Sequence, residues 1–405
     1  MRKVFVQTFG CRTNYYDSEY LSSALIRKGY KIVDDPNEAD VVIVNSCAVT
    51  HKAERESRRA VRRYKEFGKE VIYTGCAAKL RPYEVADFSG SIERVLENFG
   101  IKENYLPLVS ISRTRGVLKV QEGCDFECTY CSIRFSRGKS RSIPLERVLK
   151  DAEALAKSTK EIVLTGTQIG DWGKEWGKTL TDLIHLLSAM FPEVRFRLSS
   201  IEPTHITEDL IDLFAERENL CPHFHISAQS GSNKVLRDMK RPYVREVYEE
   251  ILRMIYKKIP DVAIGTDIIV AFPTETEEDF EETLDLIRSY PFAYVHAFEY
   301  SPREGTEAHK LGELPPNVRK ERMRRIQELI LQKKREYRLR FLGRNLNVLV
   351  ESVRDGLASG VSENYLRVMF EAKRDLRGEI VKVTVLEDRD SGVLFGKSAV
   401  EYATK

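Results

Sequence analysis

Six of the seven cysteines fall into two sets of three, and their placement constrains this 405-residue chain more than any other feature. One set is compact: Cys124, Cys128 and Cys131 stand in GCDFECTYC, a C-x3-C-x2-C loop offering three thiolates. Tetrahedral metals and [4Fe–4S] clusters usually take four ligands, so the loop leaves one coordination position open, where chemistry can happen. The other set, Cys11, Cys47 and Cys76, is dispersed at intervals of 36 and 29 residues, yet each cysteine directly follows a predicted strand. The fold must therefore build one incomplete cage from a short loop and another from three distant strand ends.

Residues 1 to about 105 alternate strand and helix. VFVQTF (Val4–Phe9) reads as a strand, followed by a helix from about Asp17 to Arg27. VVIVN (Val41–Asn45) is a continuous apolar run, as in a strand buried on both faces. A basic helix near Glu54–Tyr64 and the strand VIYT (Val71–Thr74) complete the pattern. Such alternation predicts an α/β domain with a doubly wound parallel sheet. Ligands of these sheets gather beyond the carboxyl ends of the strands, which puts all three dispersed cysteines on one edge.

From about Ser112 to Lys310 there are six strand candidates: Leu118–Gln121, Glu161–Thr165, Val194–Leu198, His223–Ser227, Ile264–Val270 and Tyr294–Tyr300. Amphipathic helices separate them, among them Leu145–Ala156, Leu180–Met190 and Glu277–Ser289. This predicts a partial (β/α)6 barrel with its working residues at the carboxyl ends of the strands. Polar stretches stand there: GCDFECTYC, TGTQIGD, SSIEP, SAQSGS, FPTET and EYSPREGT. A long helix over about Asn317–Leu342 leads to NVLVES, LRVMFE, EIVKVTVLE and GVLFGKS, short strands that suggest a small β-barrel of the oligonucleotide-binding kind. The expected domains are 1–108, 109–342 and 343–405.

Hydrophobic content of 42% and charged content of 31% suit a soluble globular chain of two or three domains. MRKVFVQTFG runs straight into a strand, too brief and polar for a signal peptide, and no window approaches the ~18 apolar residues of a membrane span. A reducing, cytoplasmic setting is expected, where clustered cysteines bind metal more often than they pair. Cys221, outside both sets, reads as a small buried apolar residue.

Net charge is only +3, so the distribution of charge is more informative than its sum. Arg55, Arg58, Arg59, Arg62 and Arg63 share one helix face. The long helix carries Arg319, Lys320, Arg322, Arg324, Arg325, Lys333, Lys334, Arg335, Arg338 and Arg340 against Glu321, Glu328 and Glu336. Arg134, Arg137, Lys139 and Arg141 flank the compact cysteine loop. A solvated charged face is the default explanation, and a grip on a phosphate backbone is the functional one.

For the compact loop the alternative is a zinc knuckle closed by a remote His or Cys, although zinc sites usually present paired C-x2-C arms and this loop has one. The x3/x2 spacing after a strand that opens a β/α domain closely resembles the radical S-adenosylmethionine (SAM) superfamily. That resemblance implies a [4Fe–4S] cluster whose fourth iron takes the amino and carboxylate groups of SAM. An electron passed to the sulfonium then yields methionine and a 5′-deoxyadenosyl radical, the protein supplying placement and exclusion of water. It also implies that Gly166, Thr167 and Gln168 hold the SAM amino group. Ser200, Glu202, Gln229 and Ser230 would line its ribose and methionine. Each alone reads equally well as a turn or helix cap; as a set at successive strand ends they favour a cofactor site.

Cys11, Cys47 and Cys76 have a competing reading as core residues. They lie after the strands rather than within them, however, and in FGC, NSC and TGC a Gly or Asn stands close by. With Asn14, Asp17 and Ser18 in GCRTNYYDSE, this segment resembles the methylthiotransferase N-terminal domain, which implies a second [4Fe–4S] cluster whose free iron carries the sulfur to be delivered. The order of parts resembles the radical SAM methylthiotransferases along almost the whole chain, the last part resembling a TRAM domain. RLSSIEPTHITEDL and EYSPREGTEAHKL resemble the branch acting on N6-threonylcarbamoyladenosine at position 37 of the tRNA anticodon loop, with a 2-methylthio product. The isopentenyladenosine branch tends to carry Thr-Ser-His-Pro where SSIEP stands, and the ribosomal-protein branch differs there too. One departure is Ala271-Phe272-Pro273-Thr274-Glu275-Thr276, where the family has Gly-Phe-Pro-Gly-Glu-Thr. The partners implied are tRNA, an electron donor and a sulfur source, with no membrane. The competing functions are the same chemistry on isopentenyladenosine tRNA or a ribosomal protein, and a non-catalytic metal-stabilised RNA-binding protein that leaves the strand-end series unexplained.

Overall fold

The apolar run Val41–Ser46 is buried at every position because it forms the centre of a sheet covered on both faces. The computed structural model describes residues 1–102, 108, 114–389 and 392–398. Its first sheet is parallel throughout, in the order Lys31–Ile32, Lys3–Thr8, Val41–Ser46, Glu70–Gly75 and Phe88–Ser89. The winding reverses between Lys3–Thr8 and Val41–Ser46, and a crevice opens at the carboxyl ends of such a pair. Cys11 and Cys47 follow these two strands, and Cys76 directly follows the next.

The first helix, Arg12–Arg27, starts five residues earlier than its periodicity suggests. Its opening turns bury Thr13, Asn14, Asp17 and Ser18, polar side chains that a hydropathy pattern assigns to solvent. The basic helix likewise extends to His51–Glu66, where the Thr50 hydroxyl caps it by accepting from the Ala53 N–H at 3.2 Å. The edge strands Lys31–Ile32 and Phe88–Ser89 and the helices Cys76–Leu80 and Ile92–Asn98 were not foreseen.

The six expected central strands are present, in two parallel sheets. Arg195–Leu198, Glu161–Thr165 and Arg115–Lys119 form one; Ser200–Ile201, His223–Ile226, Ala263–Val270 and Tyr294–Glu299 form the other. The chain steps between them from Leu198 to Ser200, giving the partial barrel. The helices Leu145–Ala156, Leu180–Met190 and Glu277–Ser289 match expectation residue for residue. The first strand does not: it runs Arg115–Lys119, and Gln121–Glu122 pairs instead with Arg141–Ser142, so that a two-stranded ribbon frames the cysteine loop. The expected start of this unit at Ser112, and the boundary at 108/109, lie outside the described residues except for Leu108.

The long helix is Pro316–Leu339, and the C-terminal strands close into a barrel in the order Asn345–Arg354, Leu357–Ser362, Arg367–Glu371, Val393–Ser398, Ile380–Arg389. Leu357–Ser362, rich in small residues, was missed; a Cβ on Gly360 would lie 2.1 Å from the Leu349 carbonyl oxygen, so this crossing needs glycine.

A buried clamp fixes this barrel to the central one. Glu161, fully buried, accepts from Arg195 Nε at 2.6 Å and from Arg197 Nε at 2.8 Å. The other ends of the guanidiniums donate to main-chain oxygens of the C-terminal barrel: Arg195 to Asn347 and Val361 at 2.7 and 2.8 Å, Arg197 to Ser362 and Glu363 at 3.0 and 2.9 Å. Among the described residues no helix is long and apolar enough to cross a membrane.

Candidate active site

The compact cysteine loop is held from both ends. Cys124 N–H donates to the Gly138 carbonyl at 3.1 Å, and Gly123 sits at φ +81° with Lys139 O only 1.9 Å from where a Cβ would be. At its far end Thr129 is tied to Met239 O at 3.1 Å, to Asp238 O at 2.9 Å and to the Ala308 N–H at 2.9 Å. Burial pushes the Cys124 thiol up to about 11 and Cys131 to about 12. Arg241 Nη1 lies 3.1 Å from Cys128 Sγ and its Nη2 pairs with Glu202, whose carboxyl burial raises against the pull of that arginine.

The dispersed cysteines meet at one sheet edge. Asn14, fully buried, donates to Phe9 O and Ser46 O, both at 2.8 Å, which stitches the Cys11 turn to the Cys47 turn. Ser18 accepts from Thr8 and Asn45 at 2.7 and 2.9 Å. Cys76 opens its helix after Gly75, where a Cβ would lie 2.3 Å from Asn45 Oδ1. A Cβ on Gly10 would lie 2.8 Å from Cys47 Sγ, so the Cys11 turn rests on Cys47. Burial raises Cys47 to about 11 and also raises Cys76, and each of the three thiols lies close enough to act electrostatically on another. Among the described residues neither triad gathers its sulfurs within 4.8 Å of one another.

Arg137 joins the two sites. It lies just beyond the compact loop, yet its side chain is buried against the N-terminal domain, with Nε 3.2 Å from Cys76 Sγ. It donates to Asn14 at 2.6 Å, Asp17 at 2.9 Å and Glu122 at 3.1 Å. Lys119 completes the knot, 2.5 Å from Asp17 and 3.0 Å from Glu122. This corrects the expectation that Arg137 grips phosphate: its charge is spent inside. Much of the long helix needs the same correction. Arg322 is buried on Glu275 at 2.7 Å, Arg324 is held by Glu321 and Glu328, Arg325 by Glu277 and Glu281, and Arg338 by Asp388 at 2.7 Å. Several of these acids come from other elements, which a count along the helix cannot include. Arg55, Arg59, Arg62 and Arg63 stay exposed, whereas Arg58 pairs with Glu54 at 3.0 Å.

A cavity of about 560 Å³ lies where the three units meet. It is lined by Cys11, Arg12, Gly166, Thr167, Ser199 and Ser200, and also by His223, His225, Asp267, Tyr294, His296 and Tyr365. Thr167 Oγ1 and Ser199 Oγ are buried there without a hydrogen-bond partner among the described residues, an arrangement that fits a polar cofactor. Gln168 instead receives support from below, its N–H donating to Gln121 at 2.7 Å and its amide 3.4 Å from His205. Gln229 adopts φ 64° and pairs through its backbone with Asp267 and Ile269, while Ser230 faces Thr283 at 3.3 Å; neither lies on the cavity wall. Cys221 is buried and lies outside both cysteine sets.

The histidine–aspartate cluster of the cavity is not visible as a site in the sequence. In His223-Phe224-His225 the alternation of a strand points both imidazoles to one side, which was the available signal. His225 and His296 lie 2.9 and 3.2 Å from Asp267, and although burial raises its carboxyl, the two imidazoles hold it well below the usual range. Tyr294 OH bridges His223 at 2.8 Å and His225 at 3.1 Å.

Residues 118–287 match the radical SAM superfamily, and residues 3–97 match a family described as Uncharacterized protein family UPF0004. The fold resembles that of a radical SAM methyltransferase, TsrM from Kitasatospora setae, at a TM-score of 0.54 and 13% identity over 74% of this chain and 76% of that one. The threonylcarbamoyladenosine tRNA methylthiotransferases MtaB of Aquifex aeolicus and Thermotoga maritima are both 37% identical, over 95% and 97% of this chain and 100% and 96% of theirs. A tRNA-2-methylthio-N(6)-dimethylallyladenosine synthase of Petrotoga mobilis is 32% identical over 95% of this chain and 96% of its own. The chain belongs to the radical SAM methylthiotransferase family, within it to the MtaB branch, and is a transferase that uses SAM and [4Fe–4S] chemistry.

Proposed function

We propose that this chain methylthiolates C2 of N6-threonylcarbamoyladenosine at position 37 of tRNA. In this reading Cys124, Cys128 and Cys131 hold the cluster that splits SAM, and Cys11, Cys47 and Cys76 hold a second one that delivers sulfur. The observation that carries it is the shared cavity, lined by Cys11 together with Gly166, Thr167 and Ser200. When bound, the two clusters and SAM supply the electron, the hydrogen-abstracting radical, the methyl group and the sulfur. The chain's own residues do the rest. Arg241 beside Cys128 and Arg137 beside Cys76 offset thiolate charge. The aromatic wall of Tyr294, Phe298 and Tyr365 offers faces on which a base can stack.

The reading divides the chain at 108 and 342 into a sulfur-carrying domain, a SAM-cleaving domain and a TRAM-like domain. Gly166, Thr167, Gln168, Ser200 and Glu202 serve SAM, with Gln229 and Ser230 shaping the loop behind them. The exposed arginines of His51–Glu66 are available to tRNA. A tRNA substrate makes the cytoplasm the place of action, with an external electron donor and sulfur source. The deciding experiment is mass spectrometry of tRNA nucleosides from a deletion strain with and without this chain. Return of 2-methylthio-N6-threonylcarbamoyladenosine is expected; return of only the dimethylallyl product would replace the substrate. Anaerobically reconstituted protein should hold about eight irons per chain.

A further inference from the structure

The cavity contains one cation whose counter-charge is missing. Arg12, directly after Cys11, donates through Nη2 to Tyr365 OH at 3.1 Å. Its Nη1 is buried with no hydrogen-bond partner among the described residues, and no described carboxylate comes within 4.0 Å of the guanidinium. Four other interior arginines, by contrast, each have an acid in contact. Arg137 has Asp17 at 2.9 Å, Arg195 and Arg197 have Glu161 at 2.6 and 2.8 Å, and Arg322 has Glu275 at 2.7 Å. Among the described residues the one acid lining the cavity, Asp267, is already shared by His225 and His296. A partly buried guanidinium without an acid is costly unless a ligand brings one.

The second observation is how Arg12 is held. Tyr365 sits in the turn between Leu357–Ser362 and Arg367–Glu371 at φ 66°, a left-handed conformation that a bulky residue rarely adopts. The Arg195–Arg197 clamp grips the main chain just before it, at Val361, Ser362 and Glu363. The ring packs 4.5 Å from His223 and 5.2 Å from Tyr294 between centroids. The C-terminal barrel thus spends backbone strain to put one phenol against one guanidinium.

We propose that Arg12, braced by Tyr365, is the specificity-determining residue that pairs with a carboxylate on the N6 substituent of the target adenine. This rests on the substrate reading above and deepens it. A threonylcarbamoyl group ends in such a carboxylate; a dimethylallyl group has no charge to offer. The cavity, about 560 Å³, has room for a purine with that substituent.

The test uses the full chain, anaerobically reconstituted, on two anticodon stem-loop RNAs. One carries N6-threonylcarbamoyladenosine and the other its methyl ester, which keeps the shape and removes the charge. Wild type should prefer the acid by about 10- to 100-fold in kcat/KM, the range of a charge-assisted bidentate pair, with the difference in KM. Arg12→Gln should bring that ratio to within about two-fold, and Arg12→Lys should restore part of it. If Arg12→Gln fails to hold iron, the wild-type ratio and Tyr365→Phe, expected to lower it several-fold, decide the matter. Indifference of wild type to esterification, or an undiminished preference in Arg12→Gln or Tyr365→Phe, overturns the assignment. If wild type modifies neither RNA, the substrate reading falls and Arg12's role falls with it.

Discussion

Replacing Arg197 by Met should undock the C-terminal barrel while leaving its own core intact. Arg197 is fully buried and makes four hydrogen bonds, to both oxygens of Glu161 and to the carbonyls of Ser362 and Glu363. Breaking a buried ion pair costs about 3–5 kcal/mol, and the lower end applies because Arg195 remains on Glu161 at 2.6 Å. Two barrel carbonyls also lose donors, at about 1 kcal/mol each. The sum is about 5 kcal/mol against the docked state, a large share of a domain's stability. Native-state hydrogen exchange of the Asn345–Arg354 strand, together with urea unfolding, measures it. Arg344→Ala, which removes a pair with Asp261 whose partners are 47% and 46% exposed, is the control and should cost under about 1 kcal/mol. A loss below about 1 kcal/mol in Arg197→Met as well would refute the idea that buried donors to main-chain oxygens hold the barrel.

Three further outcomes are expected. Gly10→Ala, at φ +99° and with its new Cβ 2.7 Å from Cys47 Cβ, should displace Cys47 and leave about four irons where wild type holds about eight; full iron content would refute the packing argument. Burial raises Cys47 and Cys221 to about 11 and Cys131 to about 12, so the folded apoprotein keeps protons that the unfolded chain has begun to lose. Its stability should be full below about pH 8.5 and fall as pH rises towards 10, by up to about 1.4 kcal/mol per unit for each thiol, before buried tyrosines such as Tyr248 and Tyr294 add their own slope; with both triads engaged, the thiol share up to about pH 10 is that of Cys221, and equal slopes in the two forms over that range would contradict this. Arg59→Ala and Arg62→Ala should each lower the salt slope of tRNA binding by about 1, whereas Arg324→Ala, already held by two glutamates, should leave it unchanged; filter binding across salt concentrations separates the cases.

The sequence disclosed elements wherever an apolar pattern carried the information. Val41–Ser46 and the helices Leu145–Ala156, Leu180–Met190 and Glu277–Ser289 were readable because one buried face or run dominates each. It failed where polar residues are buried by partners distant in sequence. The first turns of Arg12–Arg27 hide Asn14 and Asp17, whose bonding partners Ser46, Lys119 and Arg137 come from other elements. Arg322 and Arg325 looked free for the same reason, since Glu275, Glu277 and Glu281 face them from another part of the barrel. The placement of Cys11, Cys47 and Cys76 at one sheet edge was legible from strand order. The Asp267 cluster and Tyr365 were not, because neither forms a local motif.

The clamp on the C-terminal barrel reads only carbonyl oxygens, at Asn347, Val361, Ser362 and Glu363. A backbone acceptor is present whatever side chain stands at those positions. That grip is thereby insulated from substitution at those four positions, so the joint can keep it while the barrel's outer face changes, although the pairs Arg115–Glu351 and Arg338–Asp388 do depend on barrel side chains. At Tyr365 a change would reach the cavity at once.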